Sequence, residues 1–321
     1  GVGGTAADSI WTAFVANRET ALVTGSENPG RLARAIMLAV ALGKDPRTVG
    51  AAPGNDLVAR LDGTRIGSDS DIGRFGTADA TYDGVFRHAY SMMAMKASTG
   101  PLDSTSFAWL YDQQCADGSW MPYRASTTVP CAFDPALFVG PDTNSTAAAV
   151  EALAVYPDAA PVVDRALAWL DARQNADGGW GFYPGDPTDP NSTALVVQAL
   201  VAAGKLADPA FNDKAAGPQS ALLGFQLTCA QPAADRGALY FPNSGDPAAR
   251  DVNSFATAQG VPALAGRAFP LTAGTPVAGV PALPCEVPTS STSTTTTTAA
   301  PTTPSSCIDC TASPSTCLLY T

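Results

Sequence analysis

The feature that most constrains this chain is a turn phrase that it carries twice. Gln114-Cys115-Ala116-Asp117-Gly118-Ser119-Trp120 returns as Gln174-Asn175-Ala176-Asp177-Gly178-Gly179-Trp180. Each copy closes a helical run, FAWLYDQQ before the first and RALAWLDARQ before the second. A second phrase interleaves with it: Asp142-Thr143-Asn144-Ser145-Thr146-Ala147, then Asp189-Pro190-Asn191-Ser192-Thr193-Ala194, then Asp251-Val252-Asn253-Ser254-Phe255-Ala256. Two such marks in alternation define a repeat architecture, in which each unit buries its apolar face only against its neighbours.

The runs between the marks are helical. Residues 31–43, RLARAIMLAVALG, form the first convincing helix, closed by Gly43. Further helices are expected at about 55–61, 84–98, 103–114, 145–155, 161–174, 192–204, 218–228 and 253–265, because their apolar residues recur with a period near 3.6 and Gly or Pro stands at most ends. Strand patterns are nearly absent, so the fold class is all-α. The Asp-x-Asn-Ser phrases are N-cap clusters, with Ser145, Ser192 and Ser254 read as the capping residues.

This punctuation divides the chain into an N-terminal segment (1–28), a repeat domain (29–285) and a low-complexity tail (286–321). The repeat units fall at about 29–76, 77–124, 141–185, 186–245 and 246–270. In the first unit Gly73-Arg74-Phe75-Gly76 stands in for the Trp turn. In the fourth, Gln226 is followed later by Gly237-Ala238-Leu239-Tyr240-Phe241, with Phe241 expected in the place of the Trp.

Composition narrows the partners. The chain is 15% charged, against roughly 25% in an ordinary soluble domain, and its net charge is −11. Its Lys and Arg residues form no cluster, which argues against a nucleic-acid backbone as partner. No apolar run reaches the roughly 18 residues of a membrane span. The tail, PTSSTSTTTTTAAPTTPSS at 288–306, has the composition of a solvated stalk on an exported protein. Seven cysteines agree with an oxidising compartment. Cys115 with Cys131, and Cys229 with Cys285, are expected as two disulfides by neighbourhood, although connectivity is not deducible from sequence. Cys307, Cys310 and Cys317 form a separate cluster, and the lone CxxC within it is weak as a metal motif. No metal site or cofactor is assigned.

On these residues the chain resembles the QW-repeat proteins of the terpene cyclase and protein prenyltransferase β-subunit superfamily, over about residues 29–270. It is most similar to exported bacterial proteins described as carrying prenyltransferase and squalene oxidase repeats, and more distantly to transcobalamin-like carriers. The resemblance implies an α/α toroid with inner and outer rings of helices, in which Gln114, Asp117, Gly118, Trp120, Gln174, Asp177, Gly178 and Trp180 are structural staples.

In such a toroid the Asp-x-Asn-Ser starts converge on one end of the cavity, where helix N-termini present free amides and partial positive charge. Asp79, Asp83, Asp142, Asn144, Asp189, Asn191, Asp251 and Asn253 are therefore the candidate ligand-binding rim. Protonation-initiated terpene cyclases use an Asp-x-Asp-Asp motif. The nearest string in this chain, Asp69-Ser70-Asp71-Ile72, lacks the last acid. Prenyltransferases need a zinc set of Asp, Cys and His. The single histidine, His88, lies in a Met-rich helix and reads as a packed residue.

The expectation is a monomeric, exported or cell-surface protein, in association with the cell envelope. It binds a small amphipathic, isoprenoid-like or corrinoid-like ligand in its cavity without catalysis, and no catalytic residue is assigned. The alternative is an enzyme of the terpene cyclase and prenyltransferase superfamily with a diverged acidic motif, or a carbohydrate-active α/α-toroid enzyme.

Overall fold

A computed structural model describes residues 4–272 of the chain, except 25, 51–54, 77–82, 125, 127–128, 133–139, 244 and 247. The regular secondary structure of the described residues is helical apart from a two-residue antiparallel pair, β1 (Val23–Thr24) and β2 (Ser26–Glu27), and a few isolated bridges. The helices are α1 (Gly4–Leu22), α2 (Pro29–Ala41), α3 (Leu57–Asp62), α4 (Val85–Ala97), α5 (Ser104–Asp112), α6 (Thr143–Leu153), α7 (Ala160–Asp171), α8 (Pro190–Ala202), α9 (Pro218–Leu223) and α10 (Ser254–Leu264).

Burial separates two layers. In α6 and α8 almost every residue is buried, around the whole circumference. By contrast, α7 buries one stripe, Val163, Ala166, Leu167, Trp169 and Leu170, and leaves its other face wet. Runs such as Ala147-Ala148-Ala149 let the inner helices approach closely with few side-chain rotamers to order. The inner helices α2, α4, α6, α8 and α10 pack each on the next around an arc, while α3, α5, α7 and α9 lie against them from outside. The expected α/α pairing is thus present in the described residues.

One helix lies where none was read. The N-terminal segment forms α1, which buries Phe14 and Leu22 and packs Trp11 and Val15 on the core. Asn17-Arg18-Glu19-Thr20 interrupts the apolar pattern and hides it. Arg60 of α3 ties this region down, reaching both Glu19 and Glu27.

The turns repeat in atomic detail. Gly118 and Gly178 adopt φ of +95° and +92°, a region that costs little only for glycine. Any Cβ there would also collide, lying 2.5 Å from the Arg165 carbonyl oxygen and 1.9 Å from that of Ala216. Two residues on, Trp120 and Trp180 are fully buried, and each indole Nε1–H donates to a carbonyl at the end of the preceding helix, Leu110 (2.9 Å) and Leu170 (2.8 Å). Their backbone N–H groups donate to Thr146 Oγ1 and Thr193 Oγ1, both at 3.0 Å, on the next inner helix. Gln114 and Gln174 donate within the turn to Gly118 O and Gly178 O, and outward to Val162 O and Phe211 O. Asp117 accepts the Trp169 indole N–H from α7, and Asp177 accepts from Gly179 N and Thr188 Oγ1.

This geometry corrects three readings. The N-caps are Asp142 and Asp189, whose carboxylates accept from Ser145 N and Ser192 N at 2.8 Å, so the serines sit inside the first turn and cap nothing. In the last copy the register moves by two residues: Asn253 is the cap, bonded to Ala256 N, and Asp251 is exposed. The residue in the Trp place of the fourth unit is Leu239, buried, whose N–H donates to Thr257 Oγ1 (2.9 Å); Phe241 is 44% exposed. In the first unit Phe75 takes the place of the Trp, and its N–H donates to His88 Nδ1 (3.3 Å) where the other units use Thr.

Candidate functional site

The helix starts gather most of the predicted rim residues, in unlike environments. Asp142 caps α6 and is fully buried. Its Oδ1 accepts the Ser145 N–H, while Oδ2 has no hydrogen-bond partner among the described residues. Burial pushes its carboxyl up to about 7, against the pull of the Ser145 and Asn144 hydrogen bonds. The loop that follows Trp180 lies over this start, with Thr143 N–H donating to Phe182 O at 3.0 Å and the Tyr183 hydroxyl raised by burial and then by the nearby Asp142.

Asp189 is the equivalent cap of α8, but both its oxygens are used, Oδ1 by Ser192 N and Oδ2 by Ser192 Oγ at 2.7 Å. Burial raises its carboxyl too. The two acids therefore share a backbone role and differ at one oxygen.

Asn144 and Asn191 stand two residues into their helices. The Asn144 Oδ1 is buried without a partner among the described residues, whereas Asn191 Nδ2 donates to Gln259 Oε1 of α10 at 2.5 Å. Asp83 is buried beside the start of α4, where its carboxylate pairs with Arg87 (2.8 Å) and its carbonyl accepts from Arg74. Asn253 caps α10, and Asp251, being exposed, does not join the buried set. Asp79 lies outside the described residues, as does Cys285. Cys115 and Cys131 form a disulfide with Cα atoms 5.3 Å apart, and Cys229 is also disulfide-bonded.

Two groups weighed as chemistry are bracing. Asp71 pairs with Arg124 (2.5 Å) and Arg74 (3.1 Å) and accepts the Trp109 indole N–H. Burial alone would raise its carboxyl, but Arg124, Arg74 and Trp109 outweigh it and hold the group below its ordinary range, so Asp71 is ionised and unsuited to donate a proton. His88 is wholly buried between Phe75 and Trp109. Its Nδ1 accepts from Phe75 N, and its Nε2–H donates to Ser106 O at 2.9 Å. Burial pushes it down to about 3, which leaves it neutral.

Sequence reasoning passed over Glu151. It lies on α6 within an Ala-rich run, fully buried, and Phe269 N–H donates to its Oε1 at 2.5 Å while Oε2 is without a partner among the described residues. Burial pushes this carboxyl up to about 8. The signal was an acid with Ala147 and Val155 four residues to either side, so that no helical ion pair accounts for it. Among the described residues no group of three or more His, Cys, Asp or Glu side chains is arranged to hold a metal ion.

The described helices and turns set this chain beside known proteins. No protein-family model matches it. A 41-residue stretch, 13% of this chain and 8% of the relative, is 56% identical to drimenyl diphosphate synthase of Streptomyces showdoensis. Among solved structures, ent-copalyl diphosphate synthase from Streptomyces platensis is similar at 22% identity and a TM-score of 0.48, over 82% of this chain and 49% of that one. The chain thus spans about half the length of that solved structure, and its match to the curated relative covers a small part of either protein.

Proposed function

We propose that this chain is a repeat domain of the terpene cyclase kind that takes a hydrophobic isoprenoid chain at the inner-helix N-terminal end, with Asp142 as its proton-donating group. One observation carries the reading: a buried carboxyl, raised to about 7, with one oxygen accepting a helix-start amide and the other without a partner among the described residues. Such a group holds its proton near neutrality. After transfer, the carboxylate would be stabilised by the Ser145 amide and the positive end of α6. Asp189 lacks the unpartnered oxygen, and Asp71 is held ionised by its arginines. The disulfide-bonded cysteines support an oxidising, extracytoplasmic setting for the same protein.

A second reading is a carrier that binds without chemistry. It is favoured by Asp142-Thr143-Asn144-Ser145, which matches Asp-x-Asp-Asp only at its first residue and has an amide where the central acid would stand.

The test is Asp142→Asn, with wild type and variant given a panel of polyprenyl diphosphates and the products separated by mass. Cyclised or rearranged products from wild type, lost in a variant that still binds the substrate, support the proton-donor role. Equal turnover by both proteins would remove Asp142 from it. Binding without turnover by either protein would favour the carrier.

A further inference from the structure

A short strap reaches into the inner layer of the arc. After α10 the chain turns at Gly266 (φ +62°), and Phe269 meets residues of α4 and α6. Its ring lies 6.1 Å from that of Tyr90, and its backbone N–H donates to Glu151 Oε1. The outer side of these helices is covered by α5 and α7, which leaves the concave side for the strap.

Glu151, which the strap meets, and Gln198 of the next inner helix stand nine residues after the caps Asp142 and Asp189. They occupy the same level of neighbouring parallel helices whose starts are anchored by the same threonine bonds. Both are fully buried, and each keeps one oxygen without a partner among the described residues, Glu151 Oε2 and Gln198 Oε1. Both unmet atoms are oxygens, which hydrogen-bond donors would satisfy. The only donor that the strap is seen to bring to Glu151 is the Phe269 amide.

The strap also states the shape of what would supply the rest. The N–Cα–Cβ–phenyl skeleton of Phe269 is that of an arylethylamine, with nitrogen on the carboxyl group and ring on Tyr90. An ammonium would bring three donors where the amide brings one. Its charge would be matched by Glu151 rather than by the Tyr90 ring, over which Arg34 already stands at 5.4 Å.

We infer that the concave face at Tyr90, Glu151 and Gln198 is a second binding site, which accepts an arylethylammonium in place of the chain's own Phe269 strap. It is independent of the role given to Asp142, because nine residues of helix place it about 13 Å further along α6. The strap acts as a competitor within the molecule, so apparent affinity in wild type is lowered by the fraction of time the strap is docked.

Phe269→Gly removes the ring half of the competitor from Tyr90, keeps the backbone amide that meets Glu151 and frees the strap to leave, and phenethylammonium is the probe, applied above the raised range of Glu151. The variant is expected to melt below wild type and to be restored toward it by phenethylammonium. The affinity should fall at least tenfold when Glu151→Gln is added, about 1.4 kcal/mol. Ethylbenzene and butylammonium, which carry the ring or the charge alone, should each restore less. Equal binding to Phe269→Gly with and without Glu151→Gln, or equal rescue by ethylbenzene, would overturn the inference. If Phe269→Gly does not fold, hydrogen exchange in wild type decides: saturating phenethylammonium should raise exchange at the Phe269 amide, and unchanged exchange would refute the displacement.

Discussion

Removing the indole of Trp180 should cost more than any other single truncation in the second turn. The side chain is fully buried, meets Phe211 at 6.4 Å between ring centroids, and donates to Leu170 O at 2.8 Å. Burying 150–250 Å² of aromatic surface at about 25 cal/mol/Å² is worth about 4–6 kcal/mol, and measured Trp→Ala changes in cores cluster at about 3–5 kcal/mol. Trp180→Ala is therefore expected to lose about 3–5 kcal/mol. Trp180→Leu should lose less, since Leu239 fills the same place in the fourth unit with an aliphatic side chain. Urea unfolding followed by far-ultraviolet circular dichroism reads the loss. At a slope of about 3 kcal/mol per molar, the midpoint should drop by about 1 to 1.7 M for alanine. A drop under about 0.3 M, near 1 kcal/mol, would refute the argument that this indole holds the turn to the helix before it.

Thr193→Val keeps the shape of a buried side chain but strands the Trp180 N–H, and should cost about 1–3 kcal/mol in the same unfolding assay; an unchanged midpoint would show that bond to be dispensable. Acid should weaken the protein through His88. Its folded value of about 3 lies below the ordinary 6.5, so its contribution is complete above pH 6.5 and is lost as pH falls toward 3, at about 1.4 kcal/mol per unit. His88→Asn should flatten that slope, and an identical slope would remove His88 as the cause. Glu151 works in the opposite sense. Raised from 4.5 to about 8, it stabilises the fold fully below pH 4.5 and loses that contribution as pH rises to about 8, so Glu151→Gln should be relatively more stable than wild type at the alkaline end of a melting series. Reducing Cys115–Cys131, which closes a loop of sequence separation 16, should cost about 3 kcal/mol and lower the melting temperature by about 6–12 °C; a shift within 1 °C would mean the loop is held by its packing alone.

The helices and their pairing were legible because they rest on local signals. The 3.6-residue period, the capping oxygens and the left-handed glycines are written at short range, and backbone sterics read them in only one way. The glycines at 118 and 178 and the tryptophans two residues later announced the turn without any knowledge of its neighbours. Helix α1 escaped because a polar interruption at 17–20 broke the pattern, although Phe14 and Leu22 still found the core.

What only the tertiary structure decided was which like-looking residue does what. Three Asp-x-Asn-Ser phrases read alike, yet the last caps two residues late. The sequence motif is local, whereas the register is set by where Thr257 meets the Leu239 amide, 18 residues away in the chain. Asp142 and Asp189 share a phrase and differ at Oδ2, which takes the Ser192 hydroxyl at 2.7 Å in Asp189 and has no hydrogen-bond partner among the described residues in Asp142. His88 does the work of a threonine, since a ring nitrogen and a hydroxyl oxygen are equally able to accept one amide. Glu151 passed unnoticed among alanines until the fold brought Phe269, 118 residues on, to its carboxyl. Sequence fixes what each residue can donate, accept or bury; burial and the arrival of distant partners decide which of those capacities is left unmet, and it is there that a ligand or a proton can act.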